Sequence, residues 1–239
     1  MKKEVKSVEK IAYIPFKNIR KIEIYINSQK LTLSEIVKQT GCDFAITGNY
    51  YTSSWKPTCH LKKDGKVLAS SSDVYWGFRW NDAKDFSRSR IPTEAQDFAN
   101  YYACCSLIVK GSAQPDNLVF YNKDVGGTRG RTGIGIKDDC FVLYASKDGT
   151  SDAKTPEKLR DYMFAKGVTE FIMGDGGGKV NYYGNGELMQ GSAKSQNLIL
   201  VYLKHDNGSN KTDAVVIHPN AYTIIASYIT NNPRYKANQ

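Results

Sequence analysis

The residues best suited to chemistry lie in one short run, Gly174-Asp175-Gly176-Gly177-Gly178-Lys179. Three glycines after a carboxylate leave the backbone free to take φ > 0 and let a ligand approach the main chain closely. A carboxylate at the end of a strand beside bare amides can serve proton transfer, metal binding or hydrogen bonding to sugar hydroxyls. The same composition also makes an ordinary tight corner. Arg131, at the head of Arg131-Thr132-Gly133-Ile134-Gly135-Ile136, is a second candidate, and Asn49, in the loop after Phe44-Ala45-Ile46-Thr47-Gly48, is a third. Asp148 and Glu187 are the candidates for a second carboxylate, although Asp148-Gly149 is also a common turn dipeptide. His60, His205 and His218 stand apart from one another, and one histidine without a partner is usually structural. No spacing indicates a tight transition-metal site, a loop Ca²⁺ is not predicted, and no cofactor is expected.

Local patterns say which elements must hold these residues. Ile22, Ile24 and Ile26 alternate with Lys21, Glu23 and Tyr25, the pattern of a half-buried strand. Thr32-Leu33-Ser34-Glu35 fits a capping box that starts a helix ended by Gly41. Thr93-Glu94-Ala95-Gln96 predicts a second such helix, through Tyr101. Thr155, Pro156 and Gly167 bound the clearest helix in the chain. Lys63-Asp64-Gly65-Lys66 and Gly184-Asn185-Gly186 read as hairpin turns. The aromatic run Tyr75 to Trp80 reads as a strand with one packed face, or as the wall of a pocket. Ser106 to Val109, Leu118 to Tyr121, Cys140 to Tyr144, Thr169 to Met173 and Asn197 to Leu203 are strand-like, and the tail from Asp213 offers a strand and a short helix. Gly126, Gly127 and Gly130 lack dinucleotide-loop spacing and precede a strand where a helix is needed. The expected fold class is α+β: a strand-rich mixed sheet core with a few capping helices.

At 239 residues, one substantial core is expected. The organisation reads as basic N-terminal strands over 1–30, a main domain over 31–205 and a C-terminal extension over 206–239 packed on it. The 33 basic against 24 acidic residues give a net charge of +9, which favours phosphate-bearing partners. Nucleic acid is an unlikely partner because no recognition motif accompanies the charge, and the oligomeric state is open. Nothing approaches the length of a membrane span. The N-terminus carries no signal-peptide core, so the reading is cytoplasmic as written, or extracytoplasmic if a leader was removed. Sequons at Asn207 and Asn210 matter only in the latter case. Five cysteines without a Cys-x-x-Cys spacing read as small buried hydrophobes rather than disulfides or zinc ligands.

From about residue 40 to 205 the order of these pieces resembles the phosphodiester glycosidase family. The pieces are Gly48-Asn49-Tyr50-Tyr51, the hairpin around Asp64-Gly65, Arg131-Thr132-Gly133-Ile134-Gly135, Asp148-Gly149 with the helix opened at Thr155, and Asp175-Gly176-Gly177-Gly178. The resemblance implies hydrolysis of a sugar joined through its anomeric carbon to a phosphodiester. It implies Arg131 for the phosphate, since a guanidinium binds two oxygens at once. It makes Asp175 the acid/base or orienting carboxyl and Asn49 a hydrogen-bonding partner of the substrate, with Asp148 and Gly176 to Gly178 around it. Lys179 departs from the family's usual serine: it contacts phosphate, or it marks altered catalysis. The alternative reading is a catalytically weak relative that binds a phosphate-containing glycan or nucleotide without turnover.

Overall fold

The computed structural model describes residues 8–71, 75–116, 125–205 and 215–216. The chain begins with strands β1 (Glu9–Pro15) and β2 (Ile19–Ile26), helix α1 (Leu33–Thr40) and strand β3 (Phe44–Thr47). After a loop come β4 (Leu61–Lys63), β5 (Lys66–Ala69), β6 (Tyr75–Trp80), β7 (Ser87–Ile91), β8 (Asn100–Ala103), β9 (Cys105–Val109) and β10 (Ser112–Ala113). The second half contains β11 (Arg131–Lys137), β12 (Cys140–Ser146), helix α2 (Pro156–Ala165), β13 (Glu170–Met173), β14 (Tyr182–Gly184), β15 (Glu187–Met189), β16 (Asn197–Leu203) and β17 (Val215–Val216). The expected strand at Leu118 to Tyr121, both sequons, His218 and the rest of the tail lie outside the described residues.

The strands form three sheets, ordered β10-β9-β13-β11-β12-β1-β17, β15-β14-β3-β16-β2 and β5-β4-β8-β6-β7. Every pairing among the described residues is antiparallel. The expected α+β class with a mixed sheet is therefore wrong: this is a β-rich fold with two α-helices among the described residues. The strand-helix-strand order of β12, α2 and β13 looks like a parallel crossover unit. In space β11 stands between β12 and β13 and runs antiparallel to both. The crossover skips a strand, so no parallel pair forms.

A central core collects one face of all three sheets, including Ile14, Phe141 and Leu143, then Ile24, Ile46 and Val201, then Leu61, Phe78, Trp80 and Tyr102. On the outer face of the first sheet, α2 presses Leu159 and Met163 onto Val142, Tyr144 and Phe171. On the outer face of the second, α1 presses Leu33 and Ile36 onto Ala45, Leu198 and Leu200. Strands buried on both faces carry unbroken apolar runs, as β16 does from Leu198 to Leu203 after the buried Asn197.

Several local signals fold as read. Thr32 and Glu35 form a reciprocal capping box, and Gly41 closes α1 at φ 63°. Thr155 caps α2 by accepting from the Lys158 N–H, with Pro156 in the first turn. The tips at Asp64-Gly65 and Asn185-Gly186 take positive φ, as type I′ hairpins require. The helix expected from Thr93 does not form. Glu94 turns its carboxylate back to the Arg90 N–H, 2.9 Å away, and closes a turn. The following Asn100 to Ala103 are drawn into β8, where all are buried between β4 and β6. Pairing on both edges outweighs a capping signal. Within the run Tyr75 to Trp80, Phe78 and Trp80 are buried in the core, and the Trp80 indole donates to the Ile22 carbonyl.

Candidate functional site

Strand register brings the candidate residues together. In the β11–β13 ladder Gly133 faces Met173. Two residues further along, the same register sets Arg131 opposite Asp175, where side chains share a face. Past the ladder the chains stay tied, with Gly174 N–H to the Thr132 carbonyl and Gly177 N–H to the Gly130 carbonyl, both at 2.9 Å. The end of β3 meets them from the second sheet, because Asp175 N–H donates to the Gly48 carbonyl at 2.9 Å. The site thus lies where the first two sheets touch through their strand ends.

Two glycines make that meeting possible. A Cβ on Gly174 would lie 2.5 Å from the Gly48 carbonyl oxygen, and one on Gly48 would lie 1.9 Å from Asn197 Oδ1. Of the three glycines after Asp175, only Gly177 takes a positive φ, 59°, and a Cβ there would meet nothing within 4 Å. Gly176 is instead needed for closeness, since its Cβ would stand 2.5 Å from the Gly130 carbonyl oxygen.

Asp175 is 6% exposed. Its Oδ1 accepts the Gly176 N–H at 2.8 Å. Its Oδ2 is buried without a well-formed hydrogen bond and faces the Lys179 ammonium at 3.4 Å. Burial pushes the carboxyl above its usual range, against the pull of Lys179, the Gly176 N–H and Arg131. The Lys179 side chain is partly exposed and lies 4.2 Å from the centre of the Tyr51 ring. Tyr51 packs edge-on against Trp55 at 4.9 Å, and its hydroxyl, pushed up to about 12 by burial and by the Asp175 charge, donates to the Lys194 carbonyl. Tyr50 places a buried hydroxyl without a hydrogen-bond partner near Asp175 and Arg131, and burial raises it well above the usual phenol range. The arrangement is a buried carboxyl raised above its usual range, a cation beside it, and an aromatic wall leading outward.

The other expected residues are placed less simply. Arg131 is buried, and three of its five N–H donors go to carbonyls: Nε to Lys154, Nη1 to Val125 and Nη2 to Gly127. Asn49 is 1% exposed and turned inward. Its N–H donates to Asn197 Oδ1 at 2.8 Å, its Oδ1 accepts from Asn197 Nδ2 at 2.9 Å, and its Nδ2 reaches the Ala103 carbonyl. Asp148 is exposed and accepts the Gly130 N–H at 2.7 Å, so it braces the residue that holds Gly177. Glu187 makes a surface ion pair with Lys10 at 2.7 Å. His60 is buried against Tyr101, and His205 pairs with Asp43 beyond the opposite end of β3. No cluster of three or more His, Cys, Asp or Glu among the described residues is arranged to hold a metal ion.

Sequence reasoning did not single out Asn197, Thr47, Ser195, Tyr50, Tyr51 or Trp55 as parts of the site. Thr47 Oγ1 donates to the Lys179 carbonyl and lies 2.8 Å from Ser195 Oγ, which also accepts from Asn181 Nδ2. This buried network fixes the segment after Asp175 to β3. The paired aromatics at Tyr50 and Tyr51 were a visible signal, but Asn197 is 148 residues from Asn49 and carries none.

No family model matches the chain, and no curated protein matches it in sequence. Solved structures match it in three dimensions. A putative exported protein from Burkholderia pseudomallei aligns over 82% of this chain and 71% of its own, at 12% identity and a TM-score of 0.51. A hypothetical protein from Synechocystis aligns over 84% of this chain at 10% identity and a TM-score of 0.67, with 60% of its own length covered. The catalytic domain of zebrafish N-acetylglucosamine-1-phosphodiester α-N-acetylglucosaminidase, auto-inhibited by its pro-peptide, aligns over 84% of both chains at 13% identity and a TM-score of 0.61. At such identities the likeness is one of fold, and the fold of this chain is similar to that of a phosphodiester glycosidase catalytic domain.

Proposed function

We propose that the protein hydrolyses a sugar-1-phosphodiester, N-acetylglucosamine-like in its sugar, at the anomeric carbon. The observation that carries the reading is the buried Asp175 carboxyl, raised above its usual range, with the Lys179 ammonium 3.4 Å from its Oδ2. A buried carboxyl whose proton affinity is raised is suited to deliver a proton to the leaving phosphate oxygen. Lys179 and the remaining Arg131 donors supply positive charge for that phosphate, and the edge-on pair Tyr51 and Trp55 supplies aromatic surface for the sugar. The fold similarity to the zebrafish catalytic domain is in keeping with this chemistry.

The test is incubation of the full chain with both anomers of an N-acetylglucosamine-1-phosphate methyl diester in ¹⁸O-water. Label in the released sugar, absent with Asp175→Asn, is the expected result. Label in the phosphate means P–O cleavage and a different enzyme. Arg131→Ala is expected to raise KM more than it lowers kcat.

One observation favours a second reading, a binder without turnover. Lys179 already neutralises Asp175 and Arg131 is tied to three carbonyls, so the charges are partly used. Thermal stabilisation by sugar phosphates with no product by mass spectrometry is its signature.

A further inference from the structure

Two cysteines far apart in sequence face each other beneath the candidate site. In the β4–β8 ladder Leu61 pairs with Tyr102 and Lys62 with Tyr101. The Ala103 N–H donates to the His60 carbonyl at 3.0 Å, so the pairing continues one step beyond β4. The next step in the same register is Cys59 opposite Cys104, at a position without cross-strand hydrogen bonds, where antiparallel side chains approach most closely. The two Sγ atoms are 4.0 Å apart, and both residues are buried in the central core. Cys105, one residue on, faces the other side of the sheet, in the core beneath α2.

We propose that Cys59 and Cys104 are a dithiol that closes into a disulfide, cross-linking the segment before β4 to the β8–β9 junction. Closure brings the sulfurs from 4.0 Å to a bonded distance of about 2 Å, a movement within reach of side-chain rotation at directly opposed strand positions. Cys59 is the attacking partner. The S–H···S contact with Cys104, together with Thr58 and the Tyr50 amide, lowers Cys59 despite burial, whereas burial raises Cys104. With a hydroperoxide as oxidant, the Cys59 sulfur attacks one peroxide oxygen, the O–O bond breaks, and the departing hydroxide takes the Cys59 proton and leaves as water. Cys104 then attacks the Cys59 sulfur of the sulfenic acid; the S–S bond forms, the S–O bond breaks, and the hydroxyl departs as water with the Cys104 proton. Two thiols and one hydrogen peroxide give one disulfide and two waters. The cross-link anchors one end of the segment carrying Tyr50, Tyr51 and Trp55, the aromatic wall beside Asp175.

The experiment treats the folded full chain with hydrogen peroxide, quenches, and alkylates in denaturant. Non-reducing peptide mapping then follows, for wild type, Cys104→Ser and Cys105→Ser. The expected result is two fewer alkylated thiols than the five of the reduced chain. A reductant-sensitive link joins the Cys59 peptide to the one bearing Cys104 and Cys105, retained in Cys105→Ser and lost in Cys104→Ser. The proposal is overturned if all five thiols still alkylate, if Cys59 accumulates as sulfinic acid without a link, or if the link disappears in Cys105→Ser. That last variant alters the opposite face of the sheet, so it remains decisive even where Cys104→Ser fails to fold.

Discussion

At Asp175 two demands meet in one side chain. Burial raises the carboxyl, while Lys179, the Gly176 N–H and Arg131 pull it down. Asp175→Asn is expected to cut phosphodiester hydrolysis by roughly 100- to 10,000-fold, the usual worth of a positioned acid or base. The same change is expected to stabilise the fold near neutrality. A carboxyl raised in the folded state makes that state lose stability as pH climbs from the unfolded to the folded value, and the amide escapes this loss. Thermal melts of both proteins across the acid range check it: the variant's advantage should vanish below both values. Lys179→Met removes the largest lowering influence, so the limb of the pH–rate profile belonging to Asp175 should move to higher pH. A limb that stays in place detaches Asp175 from the titration.

At the scale of elements, the site depends on how closely strand ends approach. Gly48 sits where the Asn197 side chain crosses to Asn49, leaving no room for a methyl group. Gly48→Ala should cost about 1–3 kcal/mol as an overpacked position. It should also loosen the contact that holds Asp175 N–H to β3, so activity falls with stability; denaturant unfolding and initial rates on the same preparation read both. The capping boxes teach a related lesson. Thr32 and Glu35 formed one because an amphipathic segment followed them; at Thr93 the following residues were needed in the middle of a sheet, and the helix lost.

At the scale of the molecule, the first two strands enter different sheets. β1 lies between β12 and β17, and β2 pairs with β16 on the edge of the second sheet. Both send side chains into the central core, among them Ile14 and Ile24. A chain beginning at residue 31 would expose β12 and β16, two of the most apolar strands. Such a truncation is expected to be insoluble or unfolded by circular dichroism rather than a smaller working domain. The central core also explains how distant segments share a site: three sheets pack around one interior, and the strand ends of two of them meet at its rim.

By itself the sequence determined what local physics controls. Hairpin tips at Asp64-Gly65 and Asn185-Gly186, the caps of α1 and α2, and the strand character of β2, β12 and β16 follow from backbone preference and apolar periodicity within a few residues. It also placed Asp175 and Arg131 among the candidates by residue type and order. Tertiary structure alone decided that all pairings run antiparallel, that the segment after Thr93 becomes strand, that Asn49 turns inward to Asn197, and that Cys59 faces Cys104. Those outcomes are set by register between strands dozens of residues apart, which composition and spacing along the chain do not encode.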